Sequence, residues 1–325
     1  MSLFDDTASA SSGGGPLLPD GGGAAFRAGM IAIVGEPNVG KSTLLNHVLG
    51  CKIAIVSDKP QTTRDKVAGI LTDERAQIVF LDTPGLVQPR DKLHEALVAR
   101  VHEALDGVDG VLRLRDSARN LFEPGEADRL LAHSPVPVVE VWNKVDLLDS
   151  RRRGELDREI ARREAGRAFV ISALNGEGVA ALVEALRALC PEGPPLYDPE
   201  ELSDRDMRYF AAEAVREKVF EHLREEVPYS VATQTEEFVE RDDGKHYVRV
   251  LIYVEHESQK GILIGRGAEQ LKQIGREARA AIEELADHPV FLDLHVKVRK
   301  NWTKRETELA RFGYRLPKRR RKRSA

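Results

Sequence analysis

The chain has 325 residues, 42% of them hydrophobic and 31% charged, enough for two domains that each bury a core. Its only cysteines, Cys51 and Cys190, exclude a disulfide framework or a cysteine-rich metal cluster and favour a reducing compartment. The net charge of −4 hides an asymmetry: residues 297–325 hold thirteen Lys and Arg against two Glu, a local +11, so the preceding 296 residues carry −15.

An acidic body with a basic end points to a polyanionic partner, either nucleic acid or an anionic membrane surface. No apolar run reaches the roughly 20 residues of a membrane span, and the start of the chain lacks the pattern of a signal peptide, so a cytoplasmic protein is expected. Residues 1–27, with Gly13–Gly15 and Gly21–Gly23 among Ser, Ala and Pro, read as a flexible extension.

Residues 28–190 read as a nucleotide domain. The apolar run Ile31–Val34 suits a buried strand; Gly35, Glu36, Pro37, Asn38, Val39, Gly40, Lys41 and Ser42 follow, and then a helical pattern from Thr43 to Leu49. Strand, glycine-bounded loop and helix in that order predict a phosphate-binding P-loop, in which backbone N–H groups converge on phosphate oxygens at the positive end of the helix. Lys41 is expected to reach the β- and γ-phosphates and the Ser42 hydroxyl to ligate Mg²⁺.

Upstream of the strand-like run Val67–Leu71 stands Gln61-Thr62-Thr63-Arg64-Asp65, and Thr63 is the threonine expected to complete the Mg²⁺ shell. The apolar strand Ile78–Leu81 leads into Asp82-Thr83-Pro84-Gly85. Asp82 is expected to hold Mg²⁺ through water, and Gly85 to bring its N–H to the γ-phosphate, which would make the following segment sensitive to nucleotide state. Lys41, Thr63, Asp82 and Gly85 are thus the candidate catalytic set.

Val111–Asp116 occupies the place of a buried strand, yet Arg113 and Arg115 alternate with its apolar residues. That alternation suits an edge strand better than a central one.

After the apolar run Val136–Trp142 comes Asn143-Lys144-Val145-Asp146. A carboxylate at Asp146 accepts from the guanine N1–H and exocyclic amine, whereas adenine presents an acceptor at N1. Such a site can discriminate by roughly 10⁴-fold, because the wrong base leaves buried polar groups unpaired. GTP is therefore favoured over ATP. Ser172, Ala173 and Leu174, after the strand-like Ala168–Ile171, are expected to supply backbone contacts to the base.

Residues 191–203, with four prolines, read as a linker. Residues 204–315 then show a helical pattern (204–225), strands near 231–240 and 247–256, a short helix at 258–264, a helix at 269–286 and a strand at 290–299. At the head of the long helix lies Gly265-Arg266-Gly267-Ala268, where glycines let a backbone approach phosphate. The run resembles the Gly-x-x-Gly loop of a KH domain, with alanine where that loop has its second glycine, and Gly267 is expected to restore flexibility one residue earlier. Lys272, Arg276 and Arg279 on the helix, with Lys297, Arg299 and Lys300 beyond it, are the candidate RNA contacts. Residues 316–325 form a basic tail whose Lys318–Arg323 run suits RNA phosphates or acidic lipid.

The order of these motifs, with Thr-Thr-Arg before Asp-Thr-Pro-Gly, resembles the Era family of GTPases, and the α-β-β-α-α-β order resembles a bacterial-type KH domain. The resemblance implies an α/β fold: a doubly wound, mainly parallel P-loop GTPase sheet followed by an α+β type II KH domain. It implies a GTPase that binds GTP and GDP with Mg²⁺, recognises small-subunit (16S) ribosomal RNA near its 3′ end, and assists assembly of the 30S subunit. Leu86 fills the position where small signalling GTPases carry a water-orienting glutamine, so hydrolysis would draw on Mg²⁺, the P-loop, and a partner or monovalent cation. An asparagine at the place of Asn38 is associated in related GTPases with K⁺; it reads equally well as a turn-forming residue after Pro37. Two rival readings are a scaffold in which GTP is structural and turnover negligible, and a switch held at the inner face of the membrane by its basic tail.

Overall fold

The computed structural model describes residues 25–316 other than 58, 60–61, 120–122, 164–165 and 243. The extension before residue 25, Gln61 and the Lys318–Arg323 run fall outside the described residues.

The first half builds β1 (Arg27–Val34), α1 (Lys41–Leu49), β2 (Val67–Thr72), β3 (Ala76–Asp82), α2 (Lys92–Leu105), β4 (Gly110–Asp116), α3 (Glu126–Leu131), β5 (Val138–Asn143), α4 (Ser150–Ile160), β6 (Ala168–Val170) and α5 (Val179–Leu189). Six strands form one sheet in the order β2-β3-β1-β4-β5-β6, with β2 antiparallel and the others parallel. The near-continuous apolar runs of β1 and β3 follow from burial on both faces by crossover helices. Ile31, Ile33, Ile78 and Phe80 pack on one side, while Ala32, Val34, Val79 and Leu81 pack on the other. The strand order changes direction between β1 and β4, and the carboxyl ends of the strands at such a point are the usual place for a ligand.

The expectation of an edge strand at Val111–Asp116 is corrected: β4 lies in the middle, between β1 and β5. A central strand tolerates two arginines here because carboxylates meet them. Arg113 pairs with Glu36 and Asp128, and Arg115 pairs with Asp128 and Glu140. The Trp142 ring adds a cation–π face 5.6 Å from the Arg115 guanidinium. Burial alone would raise the Asp128 carboxyl, but the Arg113 hydrogen bond, the Gly125 amide and the two arginine charges outweigh it and hold the group below its ordinary value.

Residues 191–203 run along the first sheet. Ala28 donates to the Pro191 carbonyl and Ile70 to the Leu202 carbonyl, at 3.0 and 2.9 Å. The buried Gln77 side chain accepts from the Leu196 and Tyr197 amides. Ser203 Oγ donates to the Ala68 carbonyl at 2.7 Å, so the segment covers part of the β2 edge.

The second half contains α6 (Met207–His222), β7 (Ala232–Val239), β8 (His246–Val254), α7 (Glu257–Ile264), α8 (Glu269–Ala286), β9 (Val290–Val298) and α9 (Glu306–Arg311). Its sheet runs β7-β8-β9, with β8 antiparallel to β7 and parallel to β9. Ile274, Ala278 and Ile282 recur every four residues along α8, so one stripe of the helix packs with α6 against Val248, Val250 and Ile252. Beyond the expected order come a 3₁₀ turn at Trp302–Lys304 and α9, which cover the opposite face of the sheet together with Leu93 and Leu97 of α2. Among the described residues no helix is long and apolar enough to cross a membrane.

Candidate nucleotide site and nucleic-acid interface

The loop from Gly35 to Gly40 joins β1 to α1 with Asn38 and Gly40 both at positive φ, 64° and 96°. At Gly40 a Cβ would stand 2.3 Å from Asn143 Nδ2, so glycine is required by space as well as by conformation. A narrow cleft of about 50 Å³ opens between this loop and residues 55–57 and 62–63; Pro37, Lys41, Ser42, Thr43, Thr63 and Gly85 are among its walls. At Gly85 an added Cβ would meet Pro37 at 2.8 Å, and the Leu86 amide donates to the Gly35 carbonyl at 3.1 Å. Leu86 itself is buried beside Val34 and Leu81.

Lys41 is buried, its Nζ donating to the Gly35 and Glu36 carbonyls at 3.3 and 3.1 Å. Burial pulls its ammonium down from 10.5 to about 8, against the opposing pull of Asp82 and Glu36. Ser42 Oγ lies 2.9 Å from both Thr63 Oγ1 and Asp82 Oδ2. Thr62 turns away and bonds the Lys59 carbonyl instead. Asp82 is fully buried, and burial raises its carboxyl even though Lys41, Ser42 and Thr63 favour its ionised form. Among the described residues its buried Oδ1 has no hydrogen-bond partner. A carboxylate oxygen of that kind, beside two hydroxyls, is a hard-oxygen set suited to Mg²⁺. Thr83 Oγ1 anchors this strand end to the Ile33 carbonyl at 2.7 Å.

Asn143, at the end of β5, braces the loop: its Nδ2 donates to the Val39 carbonyl and its Oδ1 accepts from the Ala173 amide, both at 2.8 Å. The Ala173 amide therefore holds Asn143, where the sequence suggested a contact to the base. Lys144 reaches back to the Asn38 carbonyl and to Asp116 Oδ2. Asp146 is exposed and accepts from Ser172 Oγ. Leu174 is 77% exposed beyond it. The loop from Gly35 to Gly40, Lys41 and the side-chain oxygens of Ser42, Thr63 and Asp82 thus meet at one crevice, with Asn143 braced against the loop. Asp116 was not evident in the sequence; its signal was a carboxylate ending a strand at the sheet's carboxyl edge.

In the second half, Gly265 closes α7 at φ +71° and Arg266–Ala268 form a 3₁₀ turn. Gly267 and Ala268 both have φ of +61°, so the alanine itself takes a left-handed conformation beside the glycine. Arg266, Lys272, Arg276 and Arg279 are exposed on and before α8. Lys272, Arg276 and Arg279 line a groove of about 390 Å³ between α8 and β9, floored by Leu271, Leu292 and Leu294. Lys297 and Arg299 do not join it. Side chains alternate along β9, and these two point to the other face, where Lys297 meets Glu236 and Arg299 lies over Tyr253. Lys300 is exposed in the following turn. Trp302 is fully buried, donating from Nε1 to the Ser230 carbonyl at 2.7 Å.

The residues between α1 and β2 meet the second half directly, which the sequence did not disclose. Arg64 inserts its guanidinium among the Pro228, Tyr229 and Val231 carbonyls. Lys59 donates to the Phe220 and Leu223 carbonyls, and Lys52 pairs with Glu217 at 2.6 Å.

Residues 30–144 match the family model described as 50S ribosome-binding GTPase, and residues 226–303 match the KH domain. Over 293 residues the chain is 44% identical to the GTPase Era of Carboxydothermus hydrogenoformans, covering 89% of this chain and 98% of that protein. It is 45% identical over 291 residues to the GTPase Era of Geotalea uraniireducens, with the same coverage. Two solved structures superpose with a TM-score of 0.83 at 36% identity, covering 90% of this chain and all of theirs. One is an Aquifex aeolicus Era variant bound to GDP·AlF4⁻, the other Era in complex with MgGDPNP and nucleotides 1506–1542 of 16S ribosomal RNA.

Proposed function

The chain belongs to the Era family of GTPases, and from that premise we propose that it is a GTP-driven switch acting in the cytoplasm. Its KH half holds the 3′ end of small-subunit ribosomal RNA, and it assists assembly of the 30S subunit. The observation carrying this reading is the meeting of Lys41, Ser42, Thr63 and Asp82 in one cleft, braced by the Asn143 segment that bears Asp146. The relative crystallised with MgGDPNP and 16S RNA supports both ligands.

Lys41 binds the β- and γ-phosphates, and the loop amides from Asn38 to Thr43 hold them in place. Ser42 and Thr63 would hold Mg²⁺ directly and Asp82 through water, and the bound ion would supply neutralisation of the charge on the β- and γ-phosphates. Gly85 offers its amide beside Pro37, and Asp146 selects guanine. K⁺ beside Asn38 fits a site in which Leu86 is committed to the core and no glutamine follows Gly85. The groove beside α8 takes single-stranded RNA, with Gly265–Ala268 against the backbone and Lys272, Arg276 and Arg279 along the phosphates.

State is passed between the halves because Thr63, beside Ser42, precedes Arg64, which is seated among KH carbonyls. Ordering of Thr63 and Gly85 by GTP thereby biases exposure of the Gly265 loop. The test is to crosslink the protein to total RNA with GDPNP or GDP and sequence what is held. Enrichment of the 16S 3′ end with GDPNP is expected; equal capture with both nucleotides would sink the switch. The scaffold reading, with negligible turnover, is tested by phosphate release measured with K⁺ or Na⁺, with and without RNA.

A further inference from the structure

Arg113 stands on β4 behind the phosphate cleft and is 2% exposed. It faces Glu36 with two contacts, Nη1 to Oε2 at 2.8 Å and Nη2 to Oε1 at 3.0 Å. Nη2 also reaches Asp128 at 3.1 Å, and Nη1 donates to the Leu114 carbonyl at 2.6 Å. Glu36 belongs to the phosphate-binding loop itself, and its main-chain carbonyl accepts from Lys41 Nζ at 3.1 Å.

A carboxylate in a loop that must gather a triphosphate is an electrostatic liability, and at 32% exposure Glu36 is screened only in part. We propose that Arg113 is a positioning residue for nucleotide binding: its bidentate pair cancels the Glu36 carboxylate and fixes the Gly35–Glu36 peptide groups on which Lys41 rests. The inference rests on the nucleotide-site reading above and adds to it a charge balance peculiar to this loop. Asp128 has a second cation in Arg115, at 3.1 and 2.5 Å, so removing Arg113 takes the cation from one carboxylate, Glu36, which keeps the Ala127 amide at 3.4 Å, and not from two. Conversely, neutralising Glu36 leaves Arg113 paired with Asp128.

Titration calorimetry of the full chain with GDP and Mg²⁺ tests this. Binding by the unaltered chain measures the site reading; the variants' affinities relative to it measure the inference. Arg113→Met is expected to weaken GDP by about 10- to 100-fold, more at low salt, because repulsion by Glu36 is then unscreened. Adding Glu36→Gln to Arg113→Met should restore affinity to within about threefold, which a purely structural role for Arg113 would not predict. Glu36→Gln alone should tighten GDP about two- to tenfold by leaving a net cation near the phosphates. A double variant no tighter than Arg113→Met overturns the proposal, as does a Glu36→Gln chain that binds GDP tenfold more weakly. Should Arg113→Met fail to fold, Glu36→Gln by itself decides.

Discussion

Arg64 and Val231 lie 167 positions apart in the chain and are joined by a 2.6 Å hydrogen bond from guanidinium to main-chain carbonyl. The same guanidinium donates to Tyr229 at 2.8 Å and lies over the Phe220 ring at 5.5 Å. A buried cation with several carbonyl acceptors is held firmly, since each unpaired group would cost about 1–3 kcal/mol. Arg64→Met removes those bonds while keeping a long apolar stem. RNA affinity measured with GDPNP and with GDP should then converge, the ratio of the two falling toward one. A ratio unchanged from the unaltered chain would mean that the halves communicate elsewhere.

Lys41 gives the nucleotide site a pH dependence. Its free-state value of about 8 must return upward when a triphosphate lies against it. Below about pH 8 the site is already protonated and affinity should be flat. Above it, binding takes up a proton and affinity should fall by up to about tenfold per pH unit. Calorimetry in buffers of different ionisation heat checks the uptake. Lys41→Arg, which stays charged, should bind more weakly but lose this part of the slope, while ionisation of guanine affects both proteins alike.

Much of the site was legible in the sequence because its chemistry is local. A strand, a loop bounded by Gly35 and Gly40, and Lys41-Ser42 fix their own geometry, and Asp82 and Asn143 were placed by the apolar strands that end in them. What remained hidden depends on partners distant in sequence. Arg113 on a central strand looked misplaced until Glu36 and Asp128, 77 and 15 positions away, were seen to meet it. Lys297 and Arg299 counted as basic neighbours in the sequence, yet the two-residue period of β9 sends them to the face opposite the groove.

Trp302 tests how the last described segment supports both halves. Its ring packs with Leu93 and Leu97 of α2 and edge-on to Phe312 at 5.0 Å, while Nε1 holds the Ser230 carbonyl. Trp302→Phe keeps most of the apolar contact but strands that carbonyl, an expected cost of about 1–3 kcal/mol. Trp302→Ala adds a cavity and should cost about 3–5 kcal/mol. Urea unfolding followed by circular dichroism measures both. Equal losses for the two variants would mean that the hydrogen bond, not the packing, dominates.

Ala268 occupies the left-handed region, φ +61° and ψ 23°, immediately before α8. A Cβ in that region costs about 1–2 kcal/mol, whereas replacing alanine by glycine adds unfolded-state entropy worth about 0.4–1 kcal/mol. Strain relief outweighs the entropy, so Ala268→Gly should stabilise the protein by up to about 1 kcal/mol. It also removes a methyl from the turn where RNA backbone is proposed to lie, so affinity for a single-stranded 16S 3′ fragment should rise. Ala268→Val, with a branched Cβ at positive φ, should lose on both counts. Thermal denaturation and fluorescence anisotropy separate the effects. If Ala268→Gly stabilises the fold but leaves RNA binding untouched, the strain is structural and the RNA backbone does not approach this residue.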